Sequence, residues 1–225
     1  MKPVTLVTPT RGDAEYFAKT ALGRTVGRLG NRVNLHAIYN NTDSIAHAYN
    51  SCLTNEHRDE IIVLIHDDVS LEDYWVAQRV NEALVHYDMV GLVGQSYPPP
   101  AATWDSYEGH KDCMAHWDLG TVAMGTQALG STLDFYKKSP APSYLIDGML
   151  MALNTQRVLD AGARFDEQYT CCGYYDLDFS RTCTKLGLSI GVWPIVATHK
   201  SMGTAVGSEA WNRELELYKE KWNRG

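Results

Sequence analysis

The sequence predicts an α/β fold, a single domain with a mostly parallel central sheet flanked by helices. Three observations carry that prediction. Short β-rich and helix-compatible segments alternate over residues 1–95, a pattern that makes parallel strands joined by crossover helices. The run Ile61-Ile62-Val63-Leu64-Ile65 is unbroken in its apolar character, as a strand covered on both faces requires. The chain has 225 residues, 44% hydrophobic and 21% charged, which suffices for one sizeable core.

Each element follows in order. Val4–Thr8 is a short β-rich run ending at Pro9. Residues 13–29 read as a helix in spite of Gly23 and Gly27, both of which weaken helical propensity. Val33–Tyr39 alternates apolar and polar residues and stops at the turn-favouring pair Asn40-Asn41. Ser44 can cap a helix running through Asn50 towards Leu53. After the strand ending at Ile65, a helix is expected from Leu71 to His86 and a strand over Met89–Gly94. Residues 96–143 contain Pro98-Pro99-Pro100, scattered glycines and little periodicity, the profile of a functional loop or lid. Tyr144–Leu153 reads as one strand, with helices from Thr155 and over 176–186, then strands over 189–193 and 195–199. The last helix, Ser208–Trp222, aligns Trp211, Leu215, Tyr218 and Trp222 on one stripe, a packing face.

Charge and cysteine content exclude several classes. Twenty Lys and Arg against 27 Asp and Glu leave a net charge of −7, unsuited to general polyanion binding. No apolar run reaches the roughly 18 residues of a membrane span, and the opening Met1-Lys2-Pro3-Val4-Thr5 lacks a signal-peptide core. Five cysteines, with Cys171 and Cys172 adjacent, do not suggest a disulfide framework, and a cytoplasmic location is expected.

The chemistry concentrates at three stations. His66-Asp67-Asp68 ends the apolar strand, where unpaired buried charge is costly but where open α/β sheets bind ligands. Acids at that point can hold Mn²⁺ or Mg²⁺; alternatively, they cap the following helix. Asp176 and Asp178 stand two apart at a helix start, so only one of them can face a given cleft. His199 closes a strand and leads into the loop-like Lys200-Ser201-Met202-Gly203-Thr204.

Weaker signals carry less. His110, Cys113 and His116 form an H-x₂-C-x₂-H pattern without a suitably spaced fourth zinc ligand. Arg24, Arg28 and Arg32 would make a basic stripe on an unbroken first helix, either a solvated face or a phosphate-contacting edge. The glycines between Gly120 and Gly130 match no phosphate-loop spacing.

Taken in order, these segments resemble the nucleotide-diphospho-sugar glycosyltransferases of the GT-A, Rossmann-like fold, in particular the large inverting group with an H-x-D form of the D-x-D motif. The matching pieces are residues 44–50, His66-Asp67-Asp68-Val69, Ile146-Asp147-Gly148 through Ala152, Arg164-Phe165-Asp166-Glu167, Tyr175-Asp176-Leu177-Asp178-Phe179, and His199 to Gly203. The resemblance implies a single domain over residues 1–225, with a nucleotide-binding half (1–95), a lid (96–143) and an acceptor and catalytic half (144–225).

It also implies roles. Asp68 falls on the metal-binding acid, His66 on the first motif position and His199 on the late histidine that helps hold metal or diphosphate. Asp176 falls on the acid that usually serves as catalytic base. Tyr175 replaces the glutamate that normally precedes it, which leaves the choice between Asp176 and Asp178 open. Thr8, Thr10, Arg11, Tyr39, Asn40 and Asp67 fall around the nucleotide, and Asp147 and Gly148 near the transferred sugar. The cofactor implied is Mn²⁺ or Mg²⁺, and the favoured donor is a UDP-sugar. The acceptor is a glycan or small-molecule hydroxyl, or alternatively a hydroxymethylated base in DNA. A catalytically silent nucleotide-sugar-binding module is the reading of another class.

Overall fold

The computed structural model describes residues 1–98, 117–126, 132–136, 138–171, 173–200 and 207–222. The zinc-like pattern at His110, Cys113 and His116 lies outside them. The first half contains β1 (Val4–Pro9), α1 (Ala14–Phe17), α2 (Ala21–Val26), β2 (Asn34–Ile38), α3 (Ile45–Cys52), β3 (Ile61–Ile65), β4 (Val69–Leu71), α4 (Val76–Ala83), β5 (Met89–Gly91) and β6 (Val93–Gln95). It is followed by β7 (Leu119–Met124), β8 (Thr132–Phe135), β9 (Ala141–Pro142), β10 (Leu145–Ile146), β11 (Leu150–Asn154) and α5 (Thr155–Asp160). The chain closes with α6 (Tyr175–Lys185), β12 (Ile190–Val192), β13 (Ala197–His199) and α7 (Glu209–Trp222).

The α/β class holds, with a mixed sheet. The main sheet has the order β2-β1-β3-β11-β5-β12-β9. Its β2-β1-β3 section is parallel, as the crossover pattern predicts, and β5 and β12 are also parallel. Between these pairs β11 inserts antiparallel to both β3 and β5. A second sheet has the order β10-β6-β7-β13-β4.

Strand alternation divides the interior in two. Ile62 and Leu64 of β3, with Met151 and Leu153 of β11, face one core that also holds Tyr49, Phe165, Phe179 and Tyr218. Ile61, Val63 and Ile65, with Leu150 and Ala152, face the other. That second core is closed by Leu22, Val76 and Val80 from the helices and by Val69, Leu71, Val122 and Ala197 from the second sheet. The aromatic stripe of α7 packs as expected: Tyr218 is buried, and Trp211, Leu215 and Trp222 lie against the first core.

Several expectations need correction. The helix expected over 13–29 is broken into α1, α2 and a 3₁₀ segment, Gly27–Arg32, with Gly30 at φ 58°. The arginine stripe is therefore not one helical line. A strand, β4, follows Asp68 where a helix was expected, so Asp67 and Asp68 do not cap a helix. The strand expected over Met89–Gly94 divides at Leu92 into β5 and β6, which belong to different sheets. Tyr144–Leu153 likewise divides into β10 and β11, with Asp147 and Gly148 at the turn. The stretch 96–143 is not without regular structure, since β7, β8 and β9 fall inside it.

Candidate active site

Three long-range pairings build the site. In the antiparallel register of β3 and β11, Leu150 pairs with Ile65, and the His66 amide donates to the Met149 carbonyl at 3.1 Å. The start of β11 thus lies at the carboxyl end of β3, with Asp147 and Gly148 next to His66. In the register of β13 and β4, His199 pairs with Val69, and the Lys200 amide donates to the Asp68 carbonyl at 2.9 Å. That places His199 beside Asp68. Finally, Asp176 at the start of α6 accepts a hydrogen bond from the Gly148 amide at 2.8 Å. The three stations far apart in sequence therefore converge.

His66, Asp68 and His199 offer donor atoms that all lie within 4.8 Å of one another. His199 Nε2 is 3.4 Å and His66 Nδ1 3.9 Å from Asp68 Oδ1. These are ion-pair distances too long for well-formed hydrogen bonds, and Oδ1 of Asp68 is a buried oxygen without a hydrogen-bond partner among the described residues. Such an oxygen is costly unless something occupies the space in front of it. Two imidazoles and a carboxylate around that oxygen fit a divalent cation.

Protonation follows from the same geometry. Burial pushes the His66 imidazole below its ordinary value, against the attraction of the Asp68 charge. A neutral ring keeps a lone pair for a metal. For His199 burial acts downward too, but the adjacent Asp68 carboxylate outweighs it and holds this imidazole above its ordinary value. For Asp68 burial acts upward, yet the two histidines draw its carboxyl below the usual range.

The two acids of α6 separate cleanly. Asp176 points to the site, its carboxylate accepting from the amides of Gly148 and Leu177 at 2.8 and 2.9 Å. Some solvent reaches this half-buried residue, but protein crowds its carboxyl. That burial, reinforced by the negative charge of Asp147, raises the Asp176 carboxyl to about 7. Asp178 points away and is fully buried. Its carboxylate accepts from Lys221 Nζ at 2.9 Å and from Trp222 Nε1 at 2.8 Å. It fastens α7 to α6, and the structure does not bring it to the cleft.

Two contacts were not visible from spacing. Tyr175 Oη lies 2.6 Å from His66 Nε2. The Tyr175 ring is itself held in the first core beside Tyr49 and Phe165, with centroid separations of 6.2 and 6.1 Å. Glu214 of α7 accepts from the Cys171 amide at 2.6 Å and holds the approach to α6. The departure of Tyr175 from the usual glutamate was the one sequence signal for the first contact; Glu214 gave none.

The nucleotide-side candidates are split by depth. Thr8 and Thr10 are buried, and Thr10 Oγ1 donates to Asp67 Oδ2 at 2.6 Å. Arg11, Tyr39 and Asn40 are exposed at the carboxyl ends of β1 and β2. Asn40 has φ 51°, and its amide donates to the Gly12 carbonyl at 2.8 Å.

The glycosyltransferase-like family model matches residues 21–219, nearly the whole chain and all three stations. The chain belongs to this glycosyltransferase-like family. No curated protein matches the sequence significantly. Among solved structures, this glycosyltransferase-family chain is similar to GalNAc-T7 with UDP, GalNAc and Mn²⁺, at TM-score 0.52 and 14% identity over 96% of this chain and 48% of that one. It is also similar to a mutant Drosophila β1,4-galactosyltransferase 7 in complex with manganese, UDP-Gal and xylobiose. That match has TM-score 0.50 and 12% identity over 95% of this chain and 74% of that one. These likenesses place the glycosyltransferase in the GT-A fold. Among the described residues no helix is long and apolar enough to cross a membrane.

Proposed function

We propose that this glycosyltransferase moves a sugar from a nucleotide-diphosphate sugar, with a UDP-sugar the favoured donor, to a hydroxyl of a glycan or small molecule, with inversion. The observation that carries this reading is the unpartnered, buried Asp68 Oδ1 between two histidines, next to a carboxyl raised to about 7. His66, Asp68 and His199 would hold the cation, and two imidazole donors favour Mn²⁺ over the harder Mg²⁺. When bound, it supplies Lewis-acid stabilisation of the leaving diphosphate charge.

The remaining roles belong to the chain. Asp176 takes the proton of the attacking hydroxyl, general-base catalysis typically worth about 10²–10⁴-fold, and its raised carboxyl suits that task near neutral pH. Attack from the face opposite the leaving group inverts the anomeric carbon. Arg11, Tyr39 and Asn40, exposed at the strand ends, bind the nucleotide base and ribose. Asp147 and Gly148 line the sugar position. The non-helical backbone at Gly30 takes Arg32 off the line of Arg24 and Arg28, which shortens the arginine stripe that motivated a DNA acceptor.

The decisive experiment measures transfer and donor hydrolysis with UDP- and GDP-sugars and Mn²⁺. Asp68→Ala and Asp176→Asn are each expected to abolish turnover while the protein stays folded. Undiminished turnover in both variants overturns the proposal. Donor binding by the unmodified protein without any turnover identifies the silent binding module instead.

A further inference from the structure

A cavity edged by basic and hydroxyl side chains lies on the other side of β13. It has a volume of about 190 Å³ and is lined by Arg24, Arg28, Ser70, Thr126, Thr198 and Lys200 among others. One water occupies about 30 Å³ of the liquid, so this space admits a phosphate group together with several waters. Strand alternation turns Thr198 to the face opposite His199, and Ser70 is its direct cross-strand partner. The cavity is thus separated from the cation-binding cluster by the strand itself.

Its charged lining is cationic, although Ser70 Oγ donates to Glu72 at 2.9 Å. Among the described residues no carboxylate pairs with Arg24 or Lys200. Arg28 reaches Glu72 only at 3.8 Å. Thr198 is 2% exposed, and its Oγ1 has no hydrogen-bond partner among the described residues. A buried hydroxyl without a partner is disfavoured unless a ligand completes it. Guanidinium groups recognise phosphate oxygens in a bidentate manner, and an ammonium adds a point charge.

We propose that this cavity is a binding site for a phosphate group, either free phosphate or a phosphate monoester on a small molecule. Arg24, Arg28 and Lys200 would contact the oxyanion and Thr198 Oγ1 would donate to it. The net charge of −7 favours a single small phosphate over a polynucleotide backbone. The site does not depend on the sugar-transfer reading, since its occupancy needs neither donor nor cation.

Calorimetric titration of the full chain with inorganic phosphate and with glycerol 3-phosphate, in EDTA, tests this directly. Saturable one-to-one binding is expected, and the tighter probe identifies the source of the phosphate. The double variant Arg24→Gln, Arg28→Gln should weaken binding by about tenfold or more, and Thr198→Val should also weaken it. Mn²⁺ binding measured in parallel should be unchanged in the double variant, which shows that its fold is intact. Absence of saturable binding, or equal affinity in the double variant, overturns the proposal. Displacement of the phosphate by UDP with Mn²⁺ overturns it too, because the cavity would then be part of the donor site. Duplex DNA that binds here more tightly than either probe overturns the small-ligand assignment.

Discussion

The Tyr175 hydroxyl lies 2.6 Å from Nε2 of His66, while Nδ1 of the same ring faces Asp68. If the hydroxyl oxygen accepts from Nε2–H, the Nδ1 lone pair is left for a cation. A partner on the remote nitrogen fixes tautomer and ring orientation, and losing such a partner typically costs about 10–100-fold in metal affinity. Tyr175→Phe is therefore expected to weaken Mn²⁺ binding within that range and leave the fold in place. Calorimetric titration with Mn²⁺ checks it, and affinity equal to the unmodified protein would reduce Tyr175 to a packing residue.

Gly148 is held to glycine by crowding. A Cβ there would stand 2.1 Å from Tyr175 Oη and 2.9 Å from Asp176 Cβ. Gly148→Ala must push both side chains aside. We expect a stability loss of about 1–3 kcal/mol, as for overpacked interiors, together with loss of turnover. Urea unfolding and a transfer assay measure the two effects separately.

The raised carboxyl of Asp176 sets opposite pH trends for activity and stability. Burial and the Asp147 charge move it from the ordinary 3.8 to about 7, and the base must be ionised to work. Turnover should rise with pH through about 7. The native state binds the extra proton between those two values, so the stability from this group is complete below about pH 4 and lost as pH rises through about 7. Asp176→Asn should remove that slope from a urea-denaturation series, and an unchanged slope would show that another group causes it.

Asp178 predicts the contrary pattern. Its carboxylate binds Lys221 and Trp222 inside the molecule. Lys221 retains 36% of its side-chain exposure, which screens the ion pair. Asp178→Ala should cost about 1–3 kcal/mol of stability through the lost charged hydrogen bonds. The folded fraction should keep its turnover. A folded but inactive variant would return Asp178 to the list of candidate bases.

Cation binding should stabilise the protein by mass action. At a concentration 100 times its Kd, Mn²⁺ should add about 2.7 kcal/mol, visible as a rise in Tm that EDTA reverses. Asp68→Ala should show no such rise. A rise that survives this substitution would place the cation elsewhere.

Local pattern determined much of this protein from the sequence. The apolar run 61–65 reads as a strand buried on both faces, and as such it delivers His66, Asp67 and Asp68 to a strand end. Ser44 caps α3, accepting from the His47 amide at 3.1 Å, because a hydroxyl before a helix satisfies a free amide in any context. Spacing also established that Asp176 and Asp178 diverge.

Tertiary structure alone decided which of the two acids faces the cleft. That choice depends on Lys221 and Trp222, more than 40 residues later, taking Asp178 into the interior. The passage from β5 to β6 at Leu92, and the turn at Asp147 and Gly148 before β11, were hidden because both segments remain apolar on either side of the break. Pairing across the chain, through main-chain hydrogen bonds that carry no residue code, set the register that brings positions 66, 68, 147, 176 and 199 together.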